Sequence, residues 1–141
     1  MSFNNIYRVS GSAMTAQTIR LNTIASNLAN AESPAATAAD VYKARSPVFS
    51  AVYSPRSAAN LRGITGAQVQ VLDVVETGGS VQRHEPNHPL ANPQGYVFYP
   101  AVNVVSEMAD MMSASRSFET NVEVLNSVKS MQQSVLRLGE R

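Results

Sequence analysis

The chain lacks cysteine and lacks an excess of charge of either sign. With no cysteine among its 141 residues, it forms no disulfides and offers no thiolate metal ligand or thiol nucleophile. Eleven Lys and Arg residues nearly balance ten Asp and Glu residues. This balance excludes the long-range field that draws basic proteins to nucleic acid or to anionic membranes. We expect shape and packing to select the partners.

Long hydrophobic runs are missing as well. The first thirty residues have neither the basic start nor the continuous apolar stretch of a secretory signal, and Asn4, Arg8 and Arg20 interrupt any membrane span. The sequence therefore predicts no lipid-spanning segment and no cleaved signal peptide. The chain length fits one structural unit with a core.

Proline is absent and glycine occurs once between Phe3 and Asn30, where apolar residues recur every three or four positions. This spacing predicts a long amphipathic helix. A second row of small and apolar residues lies beside the main stripe, so more than one neighbour can pack against the helix. We assign assembly contacts to four residues of the main stripe: Met14, Leu21, Ile24 and Leu28.

A second long helix is predicted over residues 104–138. Pro100 and Asn103 mark its start, Glu107 places negative charge in its first turn, and Gly139 marks its end. Its apolar stripe follows a heptad that slips once, at Val128. The predicted assembly residues on this helix are Met108, Met111, Phe118, Val122, Leu125, Val128, Met131 and Val135.

Charge is sparse on both helices. Only Arg8 and Arg20 are charged in residues 3–30, and Ser, Thr, Asn, Gln and Ala fill the faces that normally meet water. The helices would be roughly 42 and 52 Å long, which exceeds the width of a small globule. These features favour burial by neighbouring subunits. The alternative is an antiparallel helical hairpin with an unusually uncharged exterior.

The residues between the helices differ in composition, with most of the prolines and glycines and a β-branched, aromatic alternation. We predict strands at 42–53, 67–75, 81–83 and 95–99, with 67–75 and 81–83 forming a hairpin around Gly78-Gly79. The predicted fold class is α+β: paired terminal helices in a coiled-coil-like inner layer, with a small β-rich middle. The expected divisions are 1–32, 33–100 and 101–141.

The sequence offers no constellation for catalysis. His84-Glu85-Pro86-Asn87-His88 matches the letters of the zinc-protease motif, but that motif requires a helix, which Pro86 excludes. The glycines at 63, 66, 78 and 79 lack the spacing of a phosphate-binding loop. We therefore expect no enzymatic activity, no metal and no cofactor.

One stretch of the middle region is locally basic. Lys43, Arg45, Arg56 and Arg62 occur with no acidic residue between 41 and 72. We interpret this stretch mainly as a solvated loop face. A weaker hypothesis is that it contacts acidic positions on the second helix of another subunit.

Three segments together resemble the bacterial flagellar basal-body rod proteins. Residues 11–30 end in Ser-Asn-Leu-Ala-Asn, which resembles the signature shared across rod and hook proteins, and add Asn27 and Asn30 to the predicted interface. Residues 87–97 and 112–131 resemble the proximal members of the family. Ser33-Pro34 is separated from Tyr42-Lys43 by an Ala- and Thr-rich insertion, which agrees with the proximal type and not with the distal rod.

The resemblance implies a structural subunit of the proximal rod, which assembles helically, spans the periplasm and transmits motor torque for motility. It implies export by the flagellar type III apparatus. The implied partners are other copies of the chain, other proximal rod proteins, the distal rod protein, and the export-gate or membrane-ring adaptor at the rod base. The alternative hypothesis is a coiled-coil adaptor or translocator subunit of a type III secretion apparatus.

Overall fold

The computed structural model describes residues 3–53 and 67–139. Two long helices flank a small β region along the chain, and the α+β prediction is confirmed. In chain order the elements are α1 (Phe3–Asn30), β1 (Arg45–Tyr53), β2 (Ala67–Glu76), β3 (Ser80–His84), β4 (Tyr96–Pro100) and α2 (Val104–Gly139).

The two helices pack against each other in antiparallel orientation. Near the start of α1, the Tyr7 hydroxyl donates to Gln132 Oε1 at 3.4 Å. Further along, Arg20 Nη2 lies 2.6 Å from Asp110 Oδ1, near the start of α2. Small and apolar residues fill the interior, because short side chains let helix backbones approach closely. The buried helix residues include Ser10, Ala16, Thr23, Ile24, Asn27, Ala114 and Val128.

Hydroxyl side chains on α1 are satisfied by the helix itself. Thr15, Thr18 and Thr23 each donate to the main-chain carbonyl four residues earlier, at 3.1, 2.9 and 2.9 Å. This local bonding allows a helix face rich in threonine to be covered without loss of hydrogen bonds. Of these three residues, Thr23 is buried in the subunit, whereas Thr15 and Thr18 are exposed.

The start of α2 is capped as the sequence predicts. Asn103 Oδ1 accepts from the Ser106 N–H at 3.2 Å, and the Asn103 carbonyl accepts from the Glu107 N–H at 3.0 Å. The cap satisfies main-chain donors that have no partner within the helix.

The strands form two separate two-stranded antiparallel sheets, β1–β2 and β3–β4. Among the described residues β1 pairs with β2 alone, and this edge position tolerates Pro47. Pro47 lies opposite Val74, beside a register shift between Val48 and Phe49. β4 is also bridged on its other side, where Ala35 and Phe98 exchange main-chain hydrogen bonds of 2.8 and 3.1 Å. Val97 is completely buried there.

The predicted hairpin of residues 67–75 with 81–83 is wrong. β2 pairs with β1 and β3 pairs with β4. The segment between β2 and β3 crosses from one sheet to the other: Thr77 N donates to the Ala44 carbonyl at 2.8 Å, and the Gly79 carbonyl accepts from Ala101 N at 3.0 Å. Gly78 and Gly79 therefore form a crossing and not a hairpin turn.

Gly78 is needed at this crossing because of a close approach. A Cβ atom at Gly78 would lie 3.1 Å from Ala44 Cβ and closer still to the Ala44 main-chain nitrogen, whereas a Cβ at Gly79 would meet nothing within 4 Å. Gly78→Ala should lower the free energy of unfolding by about 1–3 kcal/mol, because main-chain atoms must shift. Urea denaturation followed by circular dichroism measures this change.

Gly79→Ala is the matched control and should change the free energy of unfolding far less. Equal effects of the two substitutions would contradict the packing of residue 78 against Ala44.

Candidate assembly interface

Helix α2 exposes large apolar side chains at both of its ends. Toward its start, Val105, Met108 and Met112 are 77%, 55% and 61% exposed, and we call them the N-terminal patch. Toward its end, Met131, Val135, Leu136 and Leu138 are 51–76% exposed and form the C-terminal patch. Clustered apolar exposure of this kind marks interaction sites.

The two patches are separated by a polar stretch of the same helix. Arg116, Glu119, Thr120 and Glu123 are exposed between them. At 1.5 Å per residue the centres of the two patches lie roughly 40 Å apart along the helix axis. They are therefore two distinct exposed apolar surfaces on one subunit.

The structure divides the predicted interface residues into three groups. Met108, Met131 and Val135 are exposed. Ile24, Asn27 and Val128 are buried inside the subunit, at 5%, 2% and 2% exposure, so the chain's own elements already cover them. The half-buried group comprises Met14, Leu21, Leu28, Asn30, Met111, Phe118, Val122 and Leu125.

Three strongly exposed apolar residues lie off the predicted stripe of α2. Val105, Met112 and Leu136 each neighbour a stripe position, as Ile6 and Val9 neighbour the stripe of α1. A second apolar row was recognised on α1 alone. A row of apolar residues beside the main stripe of α2 is the sequence feature that identifies these three residues.

Asn27 belongs to a hydrogen-bond network inside the subunit. Its Oδ1 accepts from the Arg45 N–H and from the Tyr42 hydroxyl, both at 2.9 Å. Its Nδ2 donates to the Arg45 carbonyl at 2.9 Å and to Glu107 Oε1 at 3.2 Å. Asn30 differs, since its Nδ2 donates to the Ser26 carbonyl of its own helix at 2.8 Å.

The β1–β2 sheet is a second exposed apolar surface. Phe49, Tyr53, Leu72, Val74 and Val75 are all exposed, and Leu72 reaches 62%. This sheet, which we call the β1–β2 ribbon, contacts α1 through Val69, whose N–H donates to Ser12 Oγ at 3.1 Å. One part of the ribbon is thus attached to α1, while much of its apolar surface remains uncovered.

Two of the four basic residues at 43–62 already have acidic neighbours in the chain. Lys43 Nζ and Arg45 Nη2 lie 3.9 and 3.8 Å from the Glu76 carboxylate, on the paired ends of β1 and β2. These half-exposed pairs contribute little to stability. Arg56 and Arg62 lie outside the described residues, as do Gly63 and Gly66.

The His84–His88 segment has the geometry of a loop. His84 ends β3 and packs edge-on against Tyr96 at 5.1 Å, while His88 Nδ1 accepts from the Leu90 N–H at 3.1 Å. Glu85 Oε2 accepts from the Tyr99 hydroxyl at 3.0 Å, and this hydrogen bond, together with burial, raises the pKa of the Tyr99 phenol. Over residues 3–53 and 67–139, no three His, Asp or Glu side chains cluster as metal ligands.

Neither described helix is long and apolar enough to cross a lipid bilayer.

Two family models match the ends of the chain. "Flagella basal body rod protein" matches residues 8–34, and "Flagellar basal body rod FlgEFG protein C-terminal" matches residues 94–138. The matched segments contain most of α1 and α2 together with β4.

Curated relatives match over nearly the whole chain. The flagellar basal-body rod protein FlgC of Escherichia coli O157:H7 is 47% identical over 141 residues, covering 99% of this chain and all of the relative. The FlgC protein of Salmonella typhimurium is 45% identical with the same coverage. That of Aquifex aeolicus is 37% identical over 129 residues, or 92% of this chain and 91% of the relative.

The paired helices with exposed apolar ends and the matched rod segments define a structural subunit of the flagellar basal-body rod, not an enzyme. The identity and coverage of the curated relatives are more specific. The chain belongs to the FlgC family of flagellar basal-body rod proteins.

His84 lies at the end of strand β3 and His88 in the loop that follows, so the two imidazoles do not share a helix face as the zinc-protease motif requires. We predict that neither histidine carries function. Replacing both His84 and His88 by Ala should leave swimming in soft agar within about twofold of wild type, because the ring contact of His84 with Tyr96 and the hydrogen bond of His88 with Leu90 lie within the same small β3–β4 region. Purified protein should also contain no stoichiometric zinc by elemental analysis. Loss of motility together with bound zinc in the wild-type protein would contradict this prediction.

Proposed function

We propose that this chain is a structural subunit of the proximal rod, that it assembles helically with other rod proteins, and that the assembled rod transmits motor torque. Torque transmission needs a stiff shaft. A shaft is stiff when each subunit is clamped by several neighbours over large, mostly apolar interfaces. The chain supplies such surfaces on α2 and on the β1–β2 ribbon.

The observation that carries the proposal is the pair of apolar patches at opposite ends of α2. Two different surfaces favour a heterologous contact, in which one surface of a subunit meets another surface of its neighbour. Contacts of this kind extend into a helix when the rotation between subunits does not close a ring. A rod follows from this geometry, and its length is limited where the partner protein changes.

The proposal assigns the helices to an inner layer and the strands to an outer layer. Residues 1–32 and 101–141 would build the inner layer, and residues 33–100 would join subunits laterally. The half-buried stripe residues, from Met14 on α1 to Leu125 on α2, would complete their burial against neighbours. Asn30, at the end of α1, would take part in the same contacts.

The proposed neighbours are other copies of the chain, other proximal rod proteins, the distal rod protein, and the export-gate or membrane-ring adaptor at the rod base. The proposed location is the periplasmic part of the basal body, reached through the flagellar type III apparatus without a cleaved signal.

A coiled-coil adaptor or translocator subunit is the competing function. The relatives described above are rod proteins, and none of them is an adaptor or translocator. The uncovered β1–β2 ribbon also favours a subunit with lateral neighbours over a discrete helical oligomer.

Val135→Asp tests the proposal at an exposed position, where the isolated subunit tolerates a charge. In the rod, the carboxylate would be buried without a partner, which costs several kcal/mol and should abolish assembly. Expression in a strain lacking the native gene, followed by soft-agar swimming and electron microscopy of basal bodies, measures the loss.

Gln133→Asp is the matched control, because Gln133 is an exposed polar residue two positions away on the same helix. It should support swimming better than Val135→Asp. Normal motility and normal rods with Val135→Asp would overturn the assignment of the C-terminal patch to assembly.

A further inference from the structure

The side chain of Asn27 uses all of its hydrogen-bonding capacity in a buried site. An asparagine amide has two donor hydrogens and an oxygen that accepts two bonds. At 2% exposure, Asn27 accepts from the Arg45 N–H and the Tyr42 hydroxyl and donates to the Arg45 carbonyl and Glu107 Oε1. Ser26 Oγ lies 3.1 Å from the Tyr42 hydroxyl and supports the same phenol.

The hydrogen bonds of Asn27 join three different parts of the fold. Asn27 lies in the last turn of α1, Arg45 is the first residue of β1, and Glu107 lies in the first turn of α2. The amide meets both main-chain polar groups of Arg45, so it takes the place that a neighbouring residue would occupy in an antiparallel sheet. One side chain thus attaches the first residue of the ribbon to both helices.

We propose that Asn27 is the joint that fixes the β1–β2 ribbon to the helix pair, and that rod assembly depends on this joint. The second half of the proposal rests on the proposed function, since a rigid connection between inner and outer layers matters only in the rod. Asn27 acts here as a positioning residue. It is not a contact residue between subunits, because the chain itself buries it.

The ribbon depends on this attachment because it has little core of its own. A two-stranded sheet is marginally stable in water by itself, and most of the side chains of β1 and β2 are exposed. The other hydrogen bond described between ribbon and helices, from Val69 N–H to Ser12 Oγ, attaches the ribbon to α1 alone. The Asn27 network reaches both helices.

The site selects an amide over a carboxylate. Aspartate at position 27 would keep the bonds from the Arg45 N–H and the Tyr42 hydroxyl but would lose both donors. Its second oxygen would face the Arg45 carbonyl and the Glu107 carboxylate, where Asn27 Nδ2 now donates at 2.9 and 3.2 Å. Unpaired acceptors in a buried site are costly, and two carboxylates at this distance repel.

The experiment compares the wild-type full-length chain with Asn27→Asp, Glu107→Gln and the double variant, using hydrogen–deuterium exchange read by mass spectrometry. Asn27→Asp should accelerate exchange of residues 45–53 and 67–76 by roughly tenfold or more. Exchange in the middle of α1 and α2, and helix content by circular dichroism, should stay at wild-type values. The double variant should recover much of the protection, since a glutamine amide donates to the new carboxylate.

Asn22→Asp is the matched control, because it places the same charge on an exposed position of the same helix. It should leave the ribbon protected. Two results would overturn the proposal that Asn27 fixes the ribbon to the helices. One is an unchanged exchange rate of the ribbon in Asn27→Asp, and the other is an equal loss of protection in the ribbon and the helices.

The claim that rod assembly depends on this joint is tested in cells that lack the native gene. These cells express Asn27→Asp, Glu107→Gln, the double variant or the control Asn22→Asp. Asn27→Asp should abolish rods and swimming, and the double variant should restore swimming in part. Normal swimming with a loosened ribbon would overturn the dependence of the rod on the joint while leaving the proposed function intact. Failure of the proposed function itself would appear differently, because the wild-type chain would then not restore rods and swimming to these cells.

Discussion

The antiparallel contact between α1 and α2 is the interaction on which the rest of the structure depends. Small residues such as Ala16 and Ala114 let the helices approach closely, and the Arg20–Asp110 pair links them near the start of α2. Because α2 has 36 residues and α1 has 28, α1 does not cover the whole of its partner. Residues 131–139 of α2 are all exposed, including Gln132, which accepts a hydrogen bond from Tyr7 of α1.

The β region depends on the helix pair for its position. Each sheet has only two strands and buries few side chains, so neither forms a core comparable to the helical seam. β4 is held by Ala35, in the segment that follows α1, and β1 is held by Asn27, in the last turn of α1. The helix pair and the β region are therefore connected near the end of α1.

The helices could be predicted closely from the sequence because their apolar period is sustained over many turns and the Asn103 cap is a local signal. The pairing of β2 with β1 and of β3 with β4 could not be predicted in this way. Gly78-Gly79 has the composition of a hairpin turn, and its close approach to Ala44 is not visible in the local sequence. Periodicity also identifies a covered face without saying what covers it. Ile24 and Val128 were predicted as intersubunit contacts on this ground, although the chain itself buries them.

Burial of the C-terminal patch in the assembled rod is the central claim, and thiol labelling tests it most directly. The chain contains no cysteine, so Leu136→Cys introduces a single thiol at a side chain that is 65% exposed in the subunit. A polar maleimide should label this thiol readily in the isolated protein. In purified basal bodies, rod packing predicts at least about tenfold slower labelling. Equal labelling rates in both states would contradict the account.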